Sequence, residues 1–106
     1  MTNKIAELND QFRRTFQGGR VMLTASLAAL DPVEQAAIFA KVRAFESFTE
    51  DNDPYGEHDF GAFTHGGTRL FWKIDYYALD MQHGSEDPAD PSRTVRVLTV
   101  MLAEEY

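Results

Sequence analysis

Apolar side chains recur at helical spacing in the first part of this chain and at strand spacing in its middle, and the change of period predicts the order of elements. Ile5, Leu8, Phe12 and Phe16 stand three or four apart. They predict an amphipathic helix over residues 3–16, with Thr2 placed to cap its start and Gly18-Gly19 placed to end it in left-handed geometry. RVMLTASL, beginning at Arg20, predicts a short strand from 20 to 25. DPVEQAAIFAKVRAFESF then carries Asp31 as N-cap, Pro32 at the first helical position and Glu34 three residues after the cap, a strong start signal for a helix over 32–48. On that helix Val33, Ala36, Ala37, Ala40, Ala44 and Phe48 make a stripe of mostly small side chains suited to close packing on a sheet. Ile38, Val42 and Phe45 lie opposite, so the helix is expected to be central, or to bury its second face in a second copy of the chain.

The stretch YGEHDFGAFTHGGTRLFWKIDYY predicts a β-hairpin turning at Gly66-Gly67. A two-residue turn pairs His65 with Thr68, Phe63 with Leu70, Gly61 with Trp72, Asp59 with Ile74 and Glu57 with Tyr76 on one face. Ala62 with Phe71, Phe60 with Lys73 and His58 with Asp75 fall on the other. Trp72 opposite Gly61 is sound packing, because the indole covers backbone that glycine leaves bare. Last, Asp90 and Pro91 read as the cap and first position of a final helix, with Val95, Leu98, Met101 and Leu102 as its buried stripe. The expected fold is α+β, three helices packed on a small, mainly antiparallel sheet in the order α-β-α-β-β-α. A length of 106 residues fits a single domain over 1–106.

Charge sharpens this picture. The net charge is −7, unevenly placed: residues 1–45 carry six bases against four acids, giving +2, and residues 46–106 carry four bases against thirteen acids, giving −9. An acidic second half argues against direct nucleic-acid binding, which needs neutralised phosphates, and toward a protein partner with a basic surface. With no cysteine there is no disulfide, thiolate metal site or cysteine nucleophile. No apolar run is long enough to span a bilayer and the first residues do not form a secretory signal, so a soluble cytoplasmic protein is expected, with no membrane partner.

Two sets of residues could carry function. The first is a binding surface on the acidic connections 50–59 and 80–90: Glu50, Asp51, Asp53, Glu57, Asp59, Asp80, Glu86 and Asp87, with Tyr55, Tyr76 and Tyr77 as aromatic rim. The second is a catalytic or metal reading centred on His58 and Asp75, where a carboxylate across the ladder would orient an imidazole, with His83 or Glu86 completing a metal set in a small hydrolase. DNDPYGEHDFGA imitates a calcium loop at Asp51, Asp53 and Gly56, but Tyr55 and Ala62 stand where that loop needs ligands. Ser26, Ser47, Ser85 and Ser92 lack the setting of a catalytic nucleophile. Nothing in the pattern calls for a cofactor.

The blocks NDPYGEHDFGAF, FWKIDYY, GSEDPADP and RVLTVMLAEEY, in this order, make roughly residues 5–106 resemble a bacterial domain-of-unknown-function family of small proteins often found on plasmids and other mobile elements. The resemblance brings no catalytic set or cofactor with it. Ala78 stands where relatives carry an acidic residue, which weakens a metal site drawn through that position. What the resemblance implies is a small acidic inhibitor or accessory protein that engages a host or plasmid protein, including one that acts on nucleic acid.

Overall fold

The structure, a computed structural model, describes residues 3–106. Thr2, expected as a cap, lies outside them. The first helix, α1 (Lys4–Thr15), is capped by Asn3, whose side chain accepts from the backbone N–H groups of Ile5 and Ala6. It ends at Phe16, itself in the left-handed region at φ 58°, one turn before the glycines expected to stop it. Its buried face is Ala6, Asn9, Phe12 and Arg13 and not the fully apolar stripe, so two strongly polar side chains point inward.

After α1 come β1 (Gly19–Leu23), a short α2 (Ala25–Ala28), α3 (Pro32–Arg43), β2 (Phe60–His65), β3 (Thr68–Tyr77), β4 (Val95–Leu102) and a closing 3₁₀ turn. The fold is α+β, with three helices and a four-stranded sheet ordered β1-β4-β3-β2. The sheet is mixed: β4 runs antiparallel to β3 and parallel to β1. Phe12 of α1, Leu27 of α2 and Ile38 and Val42 of α3 close over Leu70, Trp72, Ile74, Leu98 and Val100, which makes one core between the helices and one face of the sheet.

Two expectations are corrected here. Residues 95–102 are a strand, not a helix. Arg96, Leu98, Val100 and Leu102 face the helices, while Val95, Val97, Thr99 and Met101 face the other side. A central strand is apolar on both faces, and such a run mimics a helical stripe. Asp90, expected to cap that helix, instead accepts from the backbone N–H and hydroxyl of Ser92 in a tight turn. On α3 the two faces are reversed. Ile38 and Val42 are buried, whereas Val33 is 77% exposed and Ala36 and Ala40 are exposed too. Branched side chains remove more apolar area from water than alanines, so they take the core side. Phe45 and Phe48, past the helix end, pack edge-on against Trp72.

The hairpin register is the predicted one from His65↔Thr68 to Phe60↔Lys73, with Gly66 and Gly67 both at positive φ. The ladder stops at Phe60, because His58 sits at φ 56° and turns the chain out of the sheet.

Candidate functional site

That turn at His58 overturns the expected His58–Asp75 pair. Asp75 instead pairs with Lys73 on its own strand. His58 swings toward α1, where its Nδ1 lies 3.0 Å from Asp10 Oδ1 and its Nε2 lies 3.7 Å from Asp53 Oδ2. The ring stacks on Phe48 with centroids 3.9 Å apart and planes 1° from parallel. Asp53, expected on the binding rim, is buried and accepts from the backbone N–H groups of Glu57 and His58. Its carboxylate therefore shapes the loop from within.

Asp10 also meets Arg13, which is fully buried. The Arg13 guanidinium donates from Nη1 to the carbonyl oxygens of Val42 and Arg43 in the last turn of α3, where helical carbonyls run out of intrahelical partners. It lies over the rings of Phe48 and Trp72 at 5.5 and 5.4 Å. A continuous chain of polar contacts, Arg13–Asp10–His58–Asp53, thus ties the end of α3 and the side of α1 to the loop before β2. Only one of these four, His58, had been singled out from the sequence as a chemical centre. Asp53 is expected on the binding rim instead, and the signal for Asp10 and Arg13 is faint: Arg13 follows Phe12 on the buried side of α1, with Asp10 one turn before it.

A second buried set adjoins it. Asn9, fully buried, donates to the Glu57 carbonyl at 3.0 Å and to the Tyr76 hydroxyl at 2.8 Å, and accepts from Arg96 Nε at 2.8 Å. The Tyr76 hydroxyl donates to the Glu57 carboxylate at 3.0 Å, and the Arg96 guanidinium lies 5.3 Å from the Tyr76 ring centre. Tyr76 is therefore a half-buried strut, not the rim residue expected. Burial first, then the Asp59 and Glu57 charges, push its phenol upward in pKa.

The same region gathers the two acidic connections. Along the edge of β3 beyond the end of β2, Ile74 N–H donates to Asp59 O at 2.8 Å, Ser85 N–H to Tyr76 O at 3.0 Å and Ala78 N–H to His83 O at 2.7 Å. The loops at 50–59 and 80–90 consequently leave the same end of the sheet side by side. Glu50, Asp51 and Tyr55 are exposed, Tyr55 by 82%. Asp80 is exposed and holds the backbone N–H groups of Gln82 and His83. Exposed Glu86 meets Arg93, while half-buried Asp87 turns back to the Ala89 N–H. Tyr77 is half-buried on the sheet face away from the helices.

The alternative metal set disperses. His58 goes to Asp10, Asp75 to Lys73, His83 to Asp80 at 2.9 Å and Glu86 to Arg93. Among the described residues no three histidine or carboxylate side chains gather to hold a metal ion. Asp51 and Asp53 do not form a calcium loop either, since Asp53 is spent on backbone N–H groups.

Crowding of acids has a measurable consequence at Asp59. Burial first, then the Glu57, Asp53 and Asp75 charges, push its carboxyl above the ordinary value, against a smaller downward pull from its own backbone. The folded chain therefore keeps this proton at a pH where the unfolded chain has lost it, and stability falls as pH rises from the ordinary carboxylate value through the raised one. Asp59→Asn removes that loss. Urea midpoints will show the variant more stable than the parent at pH 7, with the gain shrinking at pH 3, where the parent carboxyl is neutral in both states. An equal difference at both pH values would exclude a charge effect.

No helix among the described residues is long and apolar enough to cross a membrane. A family model described as protein of unknown function (DUF3768) matches residues 23–105. No curated protein matches the chain, and no solved structure does.

Proposed function

We propose that this chain, which belongs to the DUF3768 family of proteins of unknown function, is a protein-binding module whose anionic end engages a partner with a basic surface. The observation that carries this reading is the adjacency of the two acidic connections on one edge of β3, fixed through Tyr76, whose hydroxyl reaches Glu57 and whose carbonyl accepts from Ser85. Buried Asp53 and Arg13, with half-buried His58 and Asp10, clamp the first loop from inside, so Glu50, Asp51 and Tyr55 are presented on a stiff support. Rigid presentation lowers the ordering cost of association, and charge of one sign speeds encounter.

The reading keeps a cytoplasmic location and the bacterial mobile-element setting suggested by the sequence blocks, with an inhibitor or accessory role toward a nucleic-acid-acting protein. It also leaves the exposed stripe of Val33, Ala36 and Ala40 as the face through which a second copy would pack, checked by light scattering of the parent against Val33→Glu.

The test is association with an immobilised arginine-rich peptide across a salt series. Glu50→Lys, Asp51→Lys and Glu86→Lys together are expected to weaken binding about tenfold and flatten its salt dependence. Glu104→Lys, at the far end of β4, leaves both unchanged. Equal loss from Glu104→Lys would reduce the effect to net charge and overturn the proposed surface.

A further inference from the structure

We propose that the groove between α2, α3 and the turn end of the hairpin is a second binding site, and that it takes a small amphiphilic amine: one ammonium group on a short apolar chain. Its floor is Leu27, Ile38 and Leu70, each 3% exposed or less, and Leu30 and Leu102 form its walls. Its volume is about 320 Å³, the lower end of the range for small-molecule sites. The floor selects for an apolar body.

The rim selects the head group. His65 Nε2 lies 2.5 Å from Glu34 Oε2, and His65 Nδ1 lies 3.2 Å from Lys41 Nζ, which also donates to Thr64 O at 3.0 Å. A lysine ammonium has only protons to give, so in this contact Nδ1 is the acceptor and Nε2 is left to meet Glu34. The Lys41 charge is thereby held on the ring and the Thr64 carbonyl. The Glu34 side chain is still 49% exposed, and its contact with His65 uses Oε2, so Oε1 can accept from an incoming donor. Glu105, outside the lining, spends both oxygens on Thr24, Ser26 and the Leu102 N–H and adds only its charge nearby. An exposed carboxylate on the rim of an apolar floor favours an ammonium ion and disfavours a carboxylate or phosphate.

A nucleophilic reading of the same residues fails on hydrogen-bond count. Ser26, His65 and Glu34 all line the groove, but the Ser26 hydroxyl donates to Glu105, and both His65 nitrogens are engaged. No imidazole is left to activate the serine, and the only group that accepts its proton is the exposed Glu105 carboxylate. The groove is a place to bind, and it lies at the opposite end of the sheet from the acidic loops, so it stands independently of the anionic surface.

Titration of the intact chain with n-octylammonium, followed by ¹H–¹⁵N spectra, tests the assignment against octan-1-ol and octanoate as neutral and anionic controls. Saturable shifts are expected at the amides of Leu27, Ile38, His65 and Leu70, weaker ones with octan-1-ol and none with octanoate over the same range. Glu34→Gln keeps an acceptor for His65 and removes the charge, and is expected to weaken octylammonium about fivefold. Leu30→Ala, on a partly exposed wall, weakens it as well. The Glu50→Lys, Asp51→Lys, Glu86→Lys variant leaves it unchanged. Equal shifts with octanoate, undiminished binding in Glu34→Gln, or shifts confined to residues 50–59 and 80–90 would each overturn the site. The last of these would report loose attraction to the acidic end alone.

Discussion

Arg13→Ala will lower the stability of this protein by about 3–5 kcal/mol, a large part of the 5–15 kcal/mol that holds an ordinary domain folded. Three losses coincide. The carbonyls of Val42 and Arg43 at the end of α3 lose the guanidinium that donates to both, which leaves Arg43 O without that partner and Val42 O with only the Phe45 N–H. Asp10, which Arg13 helps to neutralise, keeps only the His58 imidazole as a close side-chain partner. The rings of Phe48 and Trp72 lose the guanidinium packed on them, which leaves a cavity beside the largest side chain of the core. Arg14, next in sequence and exposed, provides the comparison: Arg14→Ala is expected to shift urea unfolding by no more than about 0.5 kcal/mol. If the two variants unfold alike, Arg13 is not the clamp between α1 and α3. Because the chain of contacts continues to His58, Arg13→Ala should also loosen residues 53–58, read as faster amide exchange there than in the hairpin turn.

Gly61→Ala is the second large effect, expected at about 1–3 kcal/mol from a single added methyl. A Cβ built at this position falls 2.3 Å from Trp72 Nε1 and 2.7 Å from both Trp72 Cε2 and Phe45 Cζ. None of these atoms can retreat freely, since Trp72 is 0% exposed and packed edge-on against both Phe45 and Phe48, which also pack on each other. Among the described residues the indole N–H has no hydrogen-bond partner where it lies against the glycine, so its displacement breaks no hydrogen bond. The cost is thus steric. A double-mutant cycle with Trp72→Leu isolates it, because the smaller side chain vacates the space and Gly61→Ala should then become nearly neutral. Additive losses in the cycle would place the strain elsewhere.

The same Gly61–Trp72 contact shows how far local pattern reaches. Two consecutive glycines between alternating runs dictate a two-residue turn, and a turn dictates register, so the pairing of β2 with β3 follows from about twenty consecutive residues. The Asp31-Pro32 start of α3 is equally local, and Asp31 does accept from the Glu34 N–H. The final strand was not legible. Val95 to Leu102 reads as a helix behind Asp90-Pro91 until β1 and β3 are known to flank it, and being flanked on both edges is what makes it apolar on both faces. The faces of α3 were misassigned for a related reason, since spacing identifies two stripes but only the area each buries decides which one meets the sheet.

Sequence alone determined the hairpin turn and its register, the capped start of α3 and the excess of negative charge in the second half, because each depends on neighbours a few residues away or on composition. Tertiary structure alone decided that His58 meets Asp10 across 48 positions and Arg96 meets Asn9 across 87. It also decided that the two acidic connections emerge together beside β3. Polar side chains carry no periodic mark of the partner that lets them be buried. Their placement becomes readable only when the strands and helices that supply those partners have been brought into contact.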